Sequence, residues 1–477
     1  MLLAWLILVP LAWGTLAWVG GPRWGARLAL LGLLVQGGLA LALARAVAGG
    51  GVITQAVGGW GVPLGIELRV DGLSALLLVL TQVVTLPLVV YTRAWLRAHA
   101  RDGGYLWPLL GLLLTALHAL FVSADLFNLY VALELLGLCA VALVASGGER
   151  AQLAAAWRYL VASLVASGCF LLGVALVYAT HGTVSLRLVA TMLPATPALP
   201  HVLAGALMTL GLMIKTALFP FHAWLPAAHG SAAAPVSALL SALVVKASFY
   251  VLLRLRLDVY AAWAALIDWL PALLGGGAIV YGSWQALRAE RLKMLIAYST
   301  VAQLGYLFLL FPLLAVGELA FTAGTLQVFA HALAKAALFA AAGVTLLASG
   351  RDSVAGLATL AGTLPLTWFT FGLAGMSLMG LPPSGGFLAK WLLIDAAVVR
   401  GQWIMIVLVV SSGLLAAAYI FRILSCAFRT PAEETAVPPT PVPRGMEWAA
   451  FALAAASVLV GLEAGAISDL LAVGMAR

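Results

Sequence analysis

The sequence predicts an all-α polytopic membrane protein with about fourteen transmembrane helices, and three observations lead there. Hydrophobic residues make up 64% of the 477-residue chain and charged residues only 9%. Mean hydropathy is +1.10. Apolar runs long enough to cross ~30 Å of hydrocarbon recur from one end to the other. A soluble protein of this length would need far more polar surface. The net charge of +8 is therefore read as topology-setting charge, and no nucleic-acid partner is expected.

The apolar windows fall at 2–20, 26–47, 71–91, 105–123, 126–146, 155–180, 202–219, 232–253, 261–285, 294–312, 319–348, 359–381, 402–424 and 446–464. The first 20 residues lack a basic n-region and an A-x-A site, so they read as helix 1 rather than a cleaved signal. Residues 1–70 would hold peripheral helices 1 and 2 of a single transmembrane unit covering 1–477. The stretch TPAEETAVPPTPVPRG at 430–445 reads as a Pro-rich linker to the last helix.

Two helices should be broken. Pro220 and Pro226 bracket FHAWL just after the seventh window, and GLPPSGGF at 380–387 cuts the twelfth. Proline removes a donor and glycine loosens the helix. Such breaks persist in a membrane only where protein or a wet cavity satisfies the freed backbone groups. Paired interruptions in two halves also point to inverted repeats. For orientation, the loops after helices 1, 3, 5, 9, 11 and 13 carry fourteen basic residues, Lys293 among them, against seven on the other side, including Arg254 and the terminal Arg477. Both termini are accordingly expected outside the cytoplasm.

Of the five lysines, Lys293 is assigned to a polar loop, whereas Lys215, Lys246, Lys335 and Lys390 lie in strongly apolar stretches. An amine in hydrocarbon is expensive, whether it snorkels or finds a partner. Glu134, in DLFNLYVALELLGL, is the only acid embedded well inside an apolar span. A lone carboxylate there is either protonated or close to a cation, and Lys215 is the natural partner. Held together, both stay charged; pulled apart, the desolvated amine releases its proton. The pair can thus convert a distant electrostatic change into proton transfer. A static pair pinning two helices is the alternative.

Four embedded lysines face one embedded glutamate, and Asp395, five residues beyond Lys390, is poorly phased to help. Some amines must therefore be neutral part of the time or hydrated, which suits proton carriage and weighs against pure scaffolding. His331 and Lys335, in FAHALAKAALF, are four residues apart and share a helix face. They would form a relay between Lys246 and Lys390; a hydrogen-bonded packing histidine is the other reading of His331. His222 and His229 flank the Pro226 break. They either give protons access from one surface or cap the broken helix, and their spacing makes a poor zinc site. His118 is undecided. Ser237, Ser241, Ser248, Tyr250, Thr216, Thr300 and Tyr298 either anchor water between the charges or bond back to helical carbonyls. Asp71 and Asp125 stand where helix caps belong. Cys139, Cys169 and Cys426 show no CxxC spacing, and the chain has no GxGxxG, GxxxxGK[ST] or HExxH. No cofactor, nucleotide or metal is expected in it.

From about Val70 to Phe428 the chain resembles the antiporter-like subunits of respiratory complex I and of multisubunit Mrp-type cation/proton antiporters, a family also found in membrane-bound hydrogenases. The resemblance rests on IKTALFPFHAWLPAAHGSAAAPVSALLSALVVKASFYVLLR, followed in order by RLKMLIAYSTVAQLGY, HALAKAALF and GLPPSGGFLAKW. DLFNLYVALELLGL looks most like the D-type branch of the Mrp antiporters, and Lys335 in place of a second histidine fits that branch or the smallest complex I member. The resemblance implies fourteen helices, two inverted five-helix repeats (placed at 105–253 and 261–428) and broken helices 7 and 12. It also implies a charged, watered axis along the membrane plane. By motif, Glu134 and Lys215 match the family's glutamate–lysine pair and Lys246 the next lysine. His331 and Lys335 match the eleventh-helix relay, and Lys390 the terminal lysine. No long lateral extension follows the fourteenth helix. Implied partners are other membrane subunits, neighbouring antiporter-like subunits among them, with the lipid bilayer, protons and, through exchange, sodium. The implied location is a bacterial or archaeal inner membrane. A self-sufficient secondary transporter and a membrane subunit of a hydrogenase or bicarbonate-uptake complex stay open as alternatives.

Overall fold

The computed structural model describes residues 2–101, 103–429 and 440–474. Most of the predicted linker, 430–439, and Arg477 lie outside the described residues. The chain runs α1 (Leu2–Gly20), α2 (Pro22–Gly50), β1 (Ile53–Ala56), β2 (Glu67–Val70), α3 (Gly72–Ala98), α4 (Leu106–Val122), α5 (Leu126–Ala145), α6 (Arg150–His181), α7 (Leu186–Met192) and α8 (Leu199–Lys215). It continues with α9 (Trp224–Ser231), α10 (Ala234–Leu239), α11 (Val245–Arg254), α12 (Ala264–Ile267), α13 (Trp269–Arg288), α14 (Leu292–Leu309) and α15 (Glu318–Ser349). The last helices are α16 (Pro365–Met379), α17 (Gly385–Val399), α18 (Trp403–Leu424), α19 (Arg444–Leu459) and α20 (Ala464–Leu471). Helix occupies most of every predicted window. Among the described residues nine helices are by themselves long and apolar enough to cross a bilayer, or ten if α19 and α20, bent by 72°, form one span.

Local signals set these boundaries. Asp71 and Asp125 cap α3 and α5 by accepting the amides of Ser74 at 3.1 Å and Asn128 at 2.8 Å. Ser384 does the same for α17 through Phe387 at 3.2 Å, so three orphan donors at helix starts are satisfied. Proline stands in the first turn of α2, α8, α10 and α16, where its missing donor does no harm.

The interior is a column of helices. The Ala234–Val259 span is buried except at Leu257 and Asp258, as is most of α14, α15 and α3, against only about a third of α1, α2 and the Trp403–Phe428 span. All these helices are apolar on every side, so burial tracks position rather than amphipathicity. The column holds Lys246, Lys293, His331 and Lys335, while Glu134, Lys215 and Lys390 come from the neighbouring α5, α8 and α17. Two π turns, Leu240–Val244 and Leu255–Val259, interrupt the central span on either side of α11. Among the described residues the hairpin of β1 and β2, with Ile53 opposite Val70, is the only β-sheet in an otherwise largely helical chain. Its four-residue strands, too short to register as a pattern, lie in the Gly-rich interval between the second and third windows.

Two single residues differ from or resolve the sequence reading. Lys293 is not in a loop. It sits in the first turn of α14, is buried, and its Nζ donates to the Ala232 carbonyl just beyond α9. Its backbone amide meets Asp352 at 3.1 Å. The polar surroundings of RLKML concealed that its neighbour in space is the end of a broken helix. His118 is a packing residue: Nδ1 bonds the Leu6 carbonyl at 2.7 Å and Nε2 pairs with Gln82 at 3.0 Å, tying α4 to α1 and α3.

At the hairpin end, Arg254 gathers three helices. Its guanidinium donates to Asp71, to Ser74 Oγ at 3.0 Å and to Tyr250 Oη at 3.1 Å. Tyr250 in turn donates to the Phe121 carbonyl at 3.0 Å. Burial works against ionisation of Asp71, but Arg254 and the Ser74 amide outweigh it and hold the carboxyl below its ordinary range. Removing one partner of a buried pair strands the other charge, at a cost of about 3–5 kcal/mol. Arg254→Met should therefore lower the melting temperature of the detergent-purified protein clearly, while the same change at exposed Arg400 should leave it in place. Equal melting curves would show that this network does not hold α3, α4 and α11 together.

Candidate functional site: a buried chain of amines

The site begins where α8 stops. Lys215 is the last residue of α8, and the chain leaves the helix over residues 216–223 before α9 resumes. Its Nζ lies 3.6 Å from Glu134 Oε1 on α5, donates to Ser163 Oγ on α6 at 2.9 Å and reaches the Leu133 carbonyl at 3.4 Å. Glu134 is partly accessible, with 21% of its side chain exposed, against 8% for Lys215. Gly137, one turn beyond Glu134, leaves the room: a Cβ there would meet Ser163 Oγ at 2.5 Å. The residue after Lys215 carries the connection inward. Thr216 Oγ1 donates to Ser248 Oγ at 3.0 Å, joining the α8 break to α11.

Lys246 sits in the first turn of α11, directly after the π turn, and its Nζ curls back to the Ser241 carbonyl inside that turn. Ser241 Oγ pairs with Thr300 Oγ1 of α14 at 3.0 Å, and Thr300 donates to the Ile296 carbonyl at 3.0 Å. The same carbonyl accepts from Lys335 Nζ of α15 at 3.0 Å, and Lys335 also donates to Ser299 Oγ. Ser241 thus meets Lys246 through its carbonyl and Thr300 through its hydroxyl, and the Ile296 carbonyl is shared by Thr300 and Lys335, so the two amines are linked by hydrogen bonds that are interrupted only within Ser241 itself.

Lys390 closes the other end. Its Nζ donates to the carbonyls of Leu378 at 2.6 Å and Met379 at 3.1 Å, the last two residues of α16, and lies 4.9 Å from the centre of the Tyr306 ring. A helix end leaves carbonyls without partners, and its partial negative charge favours a cation. Gln303 Nε2 reaches the same Leu378 carbonyl at 3.4 Å, and Gln327 donates to Gln303 Oε1 at 3.1 Å. Gln327 lies one helical turn before His331 on α15. His331 is within electrostatic reach of Lys246, Lys335 and Lys390 together, and among the described residues neither of its ring nitrogens has a hydrogen-bond partner. His229 is equally buried and unpartnered, within reach of Lys246, Lys293 and Lys335. An imidazole can both take up and give up a proton, so each histidine is suited to exchange protons with the amines within its reach.

The structure thus brings Glu134, Lys215, Lys246, His331, Lys335, Lys390 and His229 into one interior system. His222 lies outside this system, stacked on Phe219 with ring centroids 5.5 Å apart and meeting the tilted Tyr281 ring at 4.7 Å. Tyr250 and Asp71 belong to the Arg254 network, Asp125 is a cap, and Ser237 bonds back to the His229 carbonyl at 2.7 Å. Tyr298 forms no hydrogen bond to these charges among the described residues, and Asp395 faces outward. Five participants escape a reading of the sequence: Lys293, Ser163, Ser299, Gln303 and Gln327. Glutamine within an apolar run was the available signal for the last two, since an uncharged amide there still demands partners.

Fold and site together define a multi-pass membrane protein that carries a row of ionisable groups through its interior. The chain belongs to the family described as NADH:quinone oxidoreductase/Mrp antiporter, TM, which matches residues 123–416. It is 38% identical over 405 residues to NADH-quinone oxidoreductase subunit N of Desulforudis audaxviator, covering 84% of this chain and 80% of that one. It is 27% identical over 434 residues to the D subunit of the Na(+)/H(+) antiporter of Bacillus subtilis, covering 91% and 86%. The fold superimposes on a chain of the Mrp complex from Dietzia sp. DQ12-45-1b with a TM-score of 0.90 at 25% identity, over 98% of this chain and 95% of the other. Relatives therefore span both branches, and the likeness around Glu134 does not confine the chain to the Mrp side.

Gly380 is needed at the α16–α17 break. Its φ is +83°, and a Cβ there would stand 2.7 Å from Lys390 Cδ. Gly380→Ala should cost about 1–2 kcal/mol for the left-handed backbone alone and push the Lys390 ammonium off its carbonyls. A lower melting temperature is expected, which Gly372→Ala, in open space, should not produce.

Proposed function

We propose that this chain translocates protons as one membrane subunit of a multisubunit cation/proton antiporter or complex I-like oxidoreductase. The observation that carries the proposal is the unneutralised row of amines, joined by hydroxyls, amides and carbonyls, with one embedded glutamate at its edge. In this reading protons reach the interior near the broken helices, by way of His222 and His229, and pass among Lys246, Lys335, His331 and Lys390. The Glu134–Lys215 pair acts as the switch. Closed, it keeps a positive charge near Lys246; opened, it lets that charge move.

Magnitudes make such coupling workable. Unit charges ~10 Å apart interact by about 1.7 kcal/mol at an effective dielectric of ~20, enough for a roughly tenfold change in a protonation ratio. Sodium exchange, where the host performs it, is assigned elsewhere in the assembly. A hard cation wants oxygen ligands, and the carbonyls along this row are already engaged by ammonium groups. We further assign fourteen spans, repeats at 105–253 and 261–428, a bacterial or archaeal inner membrane and both termini outside the cytoplasm. Moving Lys293 out of the loop count leaves thirteen basic residues against seven, the same sign of asymmetry.

The test uses the assembled complex in sealed vesicles. Lys335→Ala and Glu134→Ala should each lower proton movement about tenfold or more, Gln327→Leu several-fold, and Asp395→Asn not at all, with assembly checked by co-purification. Normal pumping by assembled Lys215→Ala and Glu134→Ala variants would overturn the proposed path. Robust gradient-driven flux by the chain alone would instead make it a self-sufficient transporter.

A further inference from the structure

A large cavity lies away from the amine row, and nothing in the proposed function uses it. It measures about 1190 Å³ and opens where the C-terminal ends of α1, α3 and α5 meet the N-terminal end of α4. Four helix ends converge there, which puts the mouth at the level where spans leave the hydrocarbon. Trp18, Trp95 and Tyr105 line that mouth, and Trp18 and Tyr105 are 66% and 71% exposed. Aromatic rings of this kind settle at the membrane–water boundary. Deeper in, the walls are Leu109, Leu112 and Ala142. From Leu106 to Leu112 the groove descends along α4 by about 9 Å at 1.5 Å per residue.

The charge at the mouth is specific in sign. Arg101 lines the cavity, and its guanidinium lies over the Trp95 ring at 5.9 Å. No carboxylate among the described residues pairs with it. Residues 93–102 hold three arginines, Arg93, Arg97 and Arg101, against the single acid Asp102. A cation at the headgroup level above an apolar groove running into the hydrocarbon complements an anionic headgroup carrying acyl chains.

We propose that this cavity is a binding site for an anionic phospholipid, its phosphate against Arg101 and the upper part of its acyl chains along α4 and α5. The lipid would fill the seam between the peripheral pair α1–α2 and the central column, so it would also fasten that pair to the rest.

Native mass spectrometry of the full chain in its complex, delipidated and then offered defined lipids, tests this. Phosphatidylglycerol should be retained about fivefold more than phosphatidylcholine, the preference one basic residue supplies near a membrane surface. Arg101→Gln should remove that preference while retention of phosphatidylcholine stays the same. Ala142→Trp, which fills the groove, should reduce retention of both. Arg101 is exposed, so its variant decides the matter even if the tryptophan variant fails to assemble. Equal retention of the two lipids by the unaltered protein would overturn the proposal. So would an unchanged preference in Arg101→Gln, or displacement of the lipid by inorganic phosphate alone. Loss of a co-purifying subunit from Ala142→Trp, with lipid retention unchanged, would mark the cavity as a protein interface instead.

Discussion

An ammonium group held among apolar helices needs oxygen within reach, and here backbone carbonyls supply most of it. Lys390 takes the last carbonyls of α16, Lys293 the carbonyl just past α9, Lys246 a carbonyl of a π turn, and Lys335 one from α14. For Lys390, Lys293 and Lys246 the irregularities of the fold make this possible, whereas the Ile296 carbonyl used by Lys335 lies inside regular α14. A continuous helix uses its carbonyls internally, whereas a broken end or a widened turn leaves them free. The two breaks and the π turn before α11 are therefore the solvation shells of those three charges.

Carbonyls solvate a charge without cancelling it, and that difference governs what the interior can do. Taking an ion out of water costs several kcal/mol after relaxation. A hydrogen bond to a charged group returns about 1.5–3 kcal/mol. Two such bonds bring the charged and neutral forms of a buried lysine near balance, so a modest change in a neighbouring charge can decide between them. A carboxylate beside each lysine would fix the charge instead. Among the described residues only the Lys215 ammonium has a carboxylate within 4 Å, Glu134 at 3.6 Å, and that carboxylate is the most exposed member of the row. Positioned at the edge, it is open to influence from outside the chain.

How much could be read from the chain depended on the kind of signal. Apolar windows located the helices because hydrocarbon leaves no alternative, and the Pro- and Gly-rich interruptions located both breaks. The four embedded lysines and Glu134 stood out for the same energetic reason. Lys293 did not, because its polar neighbours in sequence hid a buried setting reached only by packing α14 against α9. Ser163 and Ser299 look like any helical serine until a lysine from another helix arrives. The π turn at 240–244 had no signal of its own, since its residues, LSALV, suit an ordinary helix. Oxygen atoms brought together from separate helices are a product of tertiary packing, and no pattern along the chain encodes them.

The chain holds only five lysines, which opens the switching of their charges to direct measurement. The protein can be labelled with ¹⁵N at lysine Nζ, assembled with unlabelled partners, and followed by NMR in membranes as a proton gradient is applied. At least one interior lysine is expected to be neutral at rest, its charge state moving in step with that of Lys215. Five lysines that stay fully charged with and without the gradient would mean that the row carries no protons.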